Sequence, residues 1–204
     1  MELPPQDPAL LMILAGPTGI GKSTLCRRLA QAHPSIRRVV TATTRPPRQG
    51  EQHGRDYYFL GREDFLQQLE AGAFFESALV HGHRYGTLKE EILPQRGRER
   101  DQIMNVDVQG VKAYQKAVRD DPKLKKKLVT IFLMPPGLEV LRHRLKGRGE
   151  TDEADIRKRL ETAKGEIPLW STYDFCLVSG AKDEDFERVE AIWKSEKLRV
   201  SRLV

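Results

Sequence analysis

The sequence predicts an α/β fold in which a mostly parallel sheet is wrapped by helices on both faces. Three observations carry that expectation. Short apolar runs alternate with amphipathic stretches along most of the chain; a glycine-rich turn, GPTGIGKS (16–23), joins an apolar run to a helical pattern; and one region, 45–90, breaks the alternation. Parallel strands need long crossovers, usually helical, and those helices cover the sheet.

Taken in order, ALLMILA (9–15) reads as a buried strand and KSTLCRRLAQA (22–32) as a helix with Leu25 and Leu29 on one face. VVTAT (39–43), QIMNVDV (102–108), LVTIFLM (128–134) and FCLV (175–178) are further strand candidates. Helical patterns occupy 63–71, 109–118, 137–146, 152–167 and 184–199. Within 45–90 lie two strand-like pieces, YYFL and FFESALV, a lone helix and several glycines, which suggests a small insertion on one side of the sheet. No internal repeat is present, and the nearest approach to low complexity is KLKKK (123–127).

The totals narrow the class. At 204 residues the chain is one large domain, or a domain with small insertions. Hydrophobic content of 39% with 31% charged residues suits a soluble globular protein. A net charge of +6 is compatible with a polyanion, and equally with a site for one multiply charged ligand. The two cysteines, Cys26 and Cys176, are far apart, lie in apolar segments and form no CxxC pair, so reduced cytosolic thiols are expected. The N-terminus MELPPQDPALLMILAG begins with acid and proline rather than a basic segment, and nothing approaches eighteen apolar residues in a row. A cytoplasmic location without a membrane partner is the expectation.

The strongest local signal is GPTGIGKS, which fits G-x-x-x-x-G-K-[ST] and lies between a strand and a helix, as that motif must. Its glycines let successive N–H groups point inward, and the helix N-terminus adds the positive end of a dipole. Lys22 supplies a full charge near the terminal phosphates, and Ser23 a hydroxyl for Mg²⁺. This indicates a nucleoside triphosphate, without naming the reaction.

The stretch TATTRPPRQGEQHGRDYYF (41–59) is too basic and too punctuated to be core. Pro46 and Pro47 stiffen the backbone between Arg45 and Arg48, so the guanidinium groups lose little freedom on binding, and guanidinium forks suit phosphate oxygens. Tyr57 and Tyr85 can add hydroxyl donors or an aromatic face. A solvated basic loop would be the plainer reading of this stretch alone; its closeness to a phosphate loop favours an anion site. In FFESALVHGHRYGT (74–87), Glu76 follows two phenylalanines. There it is either the outward residue of an edge strand or a carboxylate placed to accept the N1–H and exocyclic amine of guanine, with Thr41 and Thr87 donating to its carbonyl oxygen.

GPTGIGKST, TTRPPRQGEQHGRDYYF, FFE…YGT, VDVQG and RLKGRGETDEADIRKRL, in that order, resemble guanylate kinase over about residues 10–198. The resemblance implies a P-loop NTPase three-layer fold within a single domain spanning 1–204. Its core would comprise 9–40, 91–140 and 160–204, with a GMP-binding insertion at about 41–90 and a lid at about 141–159. The implied reaction is transfer of the γ-phosphoryl group of MgATP to GMP, and to dGMP, within purine nucleotide metabolism and GMP recycling. Carried over by position, ATP falls on Gly16, Pro17, Thr18, Gly19, Ile20, Gly21, Lys22, Ser23 and Thr24. The GMP phosphate falls on Arg45, Arg48, Tyr57 and Tyr85, and the guanine on Glu76, Thr41, Gly86 and Thr87 with Asp107 nearby. Lys22, Arg45, Arg144, Arg148 and Arg159 are implied at the transferring group, with Arg144 and Arg148 spaced i,i+4. Mg²⁺ would sit at Ser23 with waters.

Three segments depart from the family pattern. MNVDVQG carries Asn105 where relatives have a first aspartate, GRGETDEA replaces GRGTETEE, and VSGAKDED stands for VNDDLDEA, which bears on the adenine contacts. His81 and His83 in HGH lack acid or cysteine at ligand spacing and read as a solvated turn. KLKKK and RGRER (96–100) read as exposed faces, and Trp170 and Trp193 as packing residues. Two rivals remain. One is a non-catalytic binding module on the same fold, the other a monophosphate kinase with altered base preference. A nucleic-acid binder would need an extended basic surface.

Overall fold

In the computed structural model, residues 8–92, 100–147 and 152–203 are described. The chain begins with β1 (Leu11–Ala15), α1 (Lys22–Ala32), β2 (Ile36–Arg38), β3 (Ala42–Thr43), β4 (Tyr58–Phe59), α2 (Arg62–Glu70), β5 (Phe74–Val80), β6 (His83–Leu88) and α3 (Lys89–Ile92). It continues through β7 (Asp101–Asn105), α4 (Val108–Ala117), α5 (Pro122–Lys127), β8 (Leu128–Met134), α6 (Leu138–Lys146) and α7 (Glu153–Glu166). A 3-10 helix (Ile167–Thr172), β9 (Phe175–Val178), α8 (Lys182–Lys197) and α9 (Val200–Leu203) complete it.

Five strands form a parallel sheet in the order β2-β7-β1-β8-β9. The alternation of β1 shows that both faces are covered. Leu10, Met12 and Leu14 pack with Leu25, Cys26 and Leu29 of α1 and Val189 of α8, whereas Leu11, Ile13 and Ala15 pack with Val111 and Tyr114 of α4. This is the helix–sheet–helix arrangement that the alternating pattern predicts. Strand order reverses around β1, so the crevice beyond the carboxyl ends of β1 and β7 is where such sheets bind ligands.

A second sheet, β4-β3-β6-β5, is mixed: β3 and β4 run parallel, and β6 is antiparallel to both β3 and β5. It has its own small core of Ala42, Phe65, Phe74 and Leu88, with the Phe65 and Phe74 rings stacked 4.4 Å apart. Phe75 stacks at 4.4 Å on Tyr114 of α4 and so fastens this sheet to the first.

Several sequence expectations change here. VVTAT is not one strand: the ladder ends as Val39 N–H bonds Ile103, and the chain then crosses to the second sheet, where Ala42–Thr43 pair with β4 and β6. QIMNVDV stops at Asn105, because the Asp107 side chain accepts the N–H groups of Gln109 and Gly110 (2.7 and 3.0 Å) and starts α4. The HGH segment is the turn of a β5–β6 hairpin, with His81 at φ 50° and Gly82 at φ 83°, and His83 already belongs to β6. KLKKK lies in α5, capped by Asp121. Cys176 is exposed on β9, which among the described residues is an edge strand paired with β8 alone, while Cys26 is fully buried. Trp193 packs against the main core and donates to Asp101 at 2.8 Å, whereas Trp170 is about half exposed. RGRER falls mostly outside the described residues.

Candidate active site

A cleft of about 580 Å³ opens at the carboxyl ends of β1 and β7, and it is walled by the second sheet on one side and α7 on another. Lys22, Arg45 and Arg48 all line it.

The triphosphate half begins where β1 ends. Gly16 has φ 127°, and a Cβ there would stand 2.4 Å from the carbonyl oxygen of Leu133, so only glycine lets the loop pass β8 this closely. The Lys22 ammonium donates to the carbonyls of Gly16 (2.5 Å) and Pro17 (3.0 Å), which folds it over its own loop. Thr18, Gly19, Gly21, Ser23 and Thr24 line the cleft with it. Pro17 and Ile20 do not. Ile20 is buried in the core cluster against α1, and its carbonyl accepts from Arg144 at 3.1 Å.

Facing this loop, residues 44–57 present Arg45, Arg48 and Tyr57, and β6 presents Tyr85. The Tyr57 and Tyr85 rings lie edge to face at 6.2 Å, and the Arg45 guanidinium stands 5.6 Å from the Tyr57 ring centre. Arg45 is not free in the cleft. Its Nη2 donates to both carboxylate oxygens of Glu51 (3.0 and 2.9 Å) and Nη1 to the Pro46 carbonyl (2.6 Å). Burial works against its charge, and the Glu51 carboxylate outweighs that, leaving its pKa above the ordinary arginine value.

The third part of the cleft is a buried carboxylate. A β-bulge between Phe74 and Glu76 inserts Phe75, so Phe75 reaches Tyr114 while Glu76 pairs across the hairpin with Thr87. The Thr87 hydroxyl donates to Glu76 Oε1 at 2.6 Å, and a Cβ on Gly110 would stand 2.7 Å from Oε2. Burial, reinforced by the nearby Asp107 carboxylate and opposed by Thr87, raises the Glu76 carboxyl to about 7. Thr41, Gly86 and Asp107 line this end. The expected Thr87–guanine contact does not follow from this geometry: Thr87 is fully buried and its hydroxyl is taken up by Glu76.

Helix α7 closes the remaining wall with Asp155, Lys158, Arg159 and Glu166. It is held to α6 by Arg142 Nη2 on Glu153 at 2.9 Å and by a Lys146–Glu153 ion pair, over an apolar cluster of Leu141, Leu145, Ile156 and Ala163. Arg144, expected at the transferring group, points elsewhere. Its guanidinium bonds the Ile20 carbonyl, Ser179 Oγ (2.9 Å) and the Gly180 carbonyl (3.1 Å), binding the phosphate loop to the turn before α8. Arg148 lies outside the described residues.

Sequence reasoning overlooks Glu51, Arg38 and Glu166, all of which line the cleft. An acid among arginines in RPPRQGEQ is a visible signal for Glu51. Arg38 on β2 donates to the carbonyls of Arg55 and Asp56 (2.9 Å each), while its buried Nε has no hydrogen-bond partner among the described residues. Neither it nor Glu166 has a local sequence signal. Asn105 lines the cleft with Nδ2 3.5 Å from the Tyr57 hydroxyl, at the outer limit of a hydrogen bond.

The guanylate kinase family model matches residues 9–196. The chain belongs to the guanylate kinase family. A guanylate kinase of Caldanaerobacter subterraneus is 37% identical over 196 residues, with 95% of this chain and 90% of the relative covered. One of Cereibacter sphaeroides is 39% identical over 193 residues, with 95% and 89% covered. The crystal structure of guanylate kinase from Anaplasma phagocytophilum matches with a TM-score of 0.78 at 28% identity, covering 97% of this chain and 90% of that one. Membership in the family extends over both the main sheet and the second sheet. Among the described residues, no helix is long and apolar enough to cross a membrane.

Proposed function

We infer that the chain transfers the γ-phosphoryl group of ATP to GMP, giving ADP and GDP. The observation that carries this reading is one cleft lined by Lys22 of the phosphate loop, by Arg45 and Arg48, and by the buried carboxylate of Glu76. In the reaction a GMP phosphate oxygen forms a bond to the γ-phosphorus while the bond from that phosphorus to the ADP oxygen breaks. The GMP phosphate is already anionic, so no general base is required; placing the two nucleotides in line and neutralising the moving charge do the work.

In this reading the loop from Gly16 to Thr24 holds the ATP phosphates, and Lys22 and Arg159 stabilise the moving group. Arg45, Arg48, Tyr57 and Tyr85 hold the GMP phosphate. Glu76, oriented by Thr87 and crowded by Gly110, accepts from guanine N1–H and the exocyclic amine, with Thr41, Gly86 and Asp107 around the base. Arg144 acts at one remove by fixing the phosphate loop through Ile20. The chain divides functionally into the main-sheet core, the GMP-binding second sheet at about 41–90 and a lid at about 141–159.

Kinases that use ATP generally need a divalent ion, and Mg²⁺ suits this donor set of hard oxygens. The Ser23 hydroxyl and the carboxylates of Asp107 and Glu166 line the same cleft. Among the described residues no group of three or more His, Cys, Asp and Glu is arranged to hold a metal. The ion would therefore be held mainly by phosphate oxygens and waters, with Ser23, and would supply charge neutralisation on the phosphates. A cytoplasmic location fits both the substrates and the unpaired cysteines.

A coupled assay of ADP release with GMP, dGMP, AMP, UMP and CMP tests the reading. Turnover should be confined to GMP and dGMP. Preference for AMP or a pyrimidine would overturn the guanine assignment, and absence of turnover with all five would favour a binding module.

A further inference from the structure

The loop 44–57 carries Arg45, Arg48 and Tyr57, yet among the described residues its regular pairing is a single bridge between His53 and Tyr57. Pro46 and Pro47 stiffen the loop, main-chain bonds close turns at Arg48–Glu51, Gln52–Asp56 and Gly54–Tyr57, and Arg38 holds the Arg55 and Asp56 carbonyls. Two carboxylates add the side-chain ties that aim the arginines. Asp56 ties the far half, accepting from Gln52 N–H (3.0 Å) and Arg55 Nε (2.8 Å). Glu51 ties the near half, taking Arg45 Nη2 on both its oxygens and the main-chain N–H of Arg48 at 2.8 Å. The Arg45 and Glu51 side chains are only 11% and 21% exposed, so this pair is not a screened surface contact.

Resting on the reading of this cleft as a monophosphate site, we propose that Glu51 is a positioning residue for the nucleoside monophosphate. It gathers Arg45 and Arg48 around one anionic seat before the ligand arrives. In Arg45, Nη2 lies on Glu51, Nη1 on the Pro46 carbonyl, and the guanidinium also hydrogen-bonds Tyr85, which leaves part of its five-donor set for a phosphate. Glu51 therefore orients the fork without exhausting it.

A carboxylate at this place has two opposed effects. Its charge repels a phosphate dianion, and its hydrogen bonds remove the disorder that binding would otherwise have to remove. The second dominates, because one carboxylate fixes both the side chain of Arg45 and the main chain of Arg48. A second negative group held by the same guanidinium adds a shared, charge-assisted contact rather than a bare repulsion.

The experiment measures GMP binding by calorimetry without ATP, together with steady-state kinetics and melting temperature, for the wild type and Glu51→Gln. Glutamine keeps the size and one oxygen for Arg48 N–H, and removes the charged bidentate hold on Arg45. The dissociation constant and KM for GMP should rise about tenfold, with KM for ATP at its wild-type value. In an Arg45→Ala background the same change should add nothing further, because it acts through Arg45; Glu51→Asp should recover part of the loss. Unchanged or tighter GMP binding by Glu51→Gln would overturn the proposal. So would parallel losses for GMP and ATP with a lowered melting temperature. A wild type that bound no GMP at all would overturn the functional reading beneath it.

Discussion

Thr87 and Glu76 face each other across the β5–β6 hairpin, with the threonine hydroxyl donating to Glu76 Oε1 at 2.6 Å. The bond orients a carboxylate that burial has raised to about 7 from an ordinary 4.5. The sign of its pH dependence follows. Between those values the folded protein holds a proton that the unfolded chain has lost, so stability falls as pH rises through that window, by on the order of 2–3 kcal/mol. Glu76→Gln should abolish that fall. Urea unfolding near pH 5 and pH 8 measures it, and an equal pH dependence in both proteins would refute the assignment. Guanine needs the ionised carboxylate, so KM for GMP should climb as pH drops from about 8 to 6, while KM for ATP holds steady.

Gly110 sits in the first turn of α4, where an added Cβ would meet Val106 Cγ1 at 2.4 Å and Glu76 Oε2 at 2.7 Å. Gly110→Ala should therefore displace Glu76 and strain the helix start, costing about 2 kcal/mol of stability and raising KM for GMP more than KM for ATP. Kinetics and thermal melts check both halves. A variant with wild-type GMP affinity would mean that the carboxylate tolerates displacement.

Lys22 reaches the carbonyls of Gly16 and Pro17 from the first turn of α1. Lys22→Ala should lower kcat by about 10²–10³-fold with little change in melting temperature. Near-normal kcat would remove Lys22 from the chemistry.

Arg144 ties Ile20 of the phosphate loop to Ser179 and Gly180. Ser179 and Gly180 are in turn fixed by Asp185, through Ser179 Oγ at 2.7 Å and the Gly180 N–H at 2.8 Å. Arg144→Ala should raise KM for ATP and lower the melting temperature together, leaving GMP binding intact. A fall in kcat alone, with normal ATP affinity and stability, would return Arg144 to the transferring group.

The main sheet is legible in the sequence because its central strands are buried on both faces, and short runs such as LMILA, and LVTIFLM with Thr130 as its one polar residue, suit a central strand far better than a surface helix. β6 is less so. HRYGTL has no apolar alternation, and it becomes a strand only because the His81–Gly82 turn returns the chain along β5. The two phosphate-facing loops are legible because each is a contiguous motif whose residue types match one chemistry. What local sequence does not show is the set of partners that aim those residues. The bulge at Phe75 places Glu76, Glu51 holds Arg45, and Arg144 turns toward Ile20 over a separation of 124 residues. Each depends on three-dimensional neighbours that no window of sequence contains.

The most direct test is the affinity of a bisubstrate compound joining adenosine to guanosine through a chain of phosphates. If the main-chain cradle at Gly16–Ser23 and the guanidinium cradle at Arg45 and Arg48 face each other across one cleft, tethering makes the second contact intramolecular. The compound should then bind one per chain, at least about 100-fold tighter than ATP or GMP alone, and lose that advantage in Arg45→Ala. Binding no tighter than the better single nucleotide, or two equivalents per chain, would mean that the cradles do not face each other.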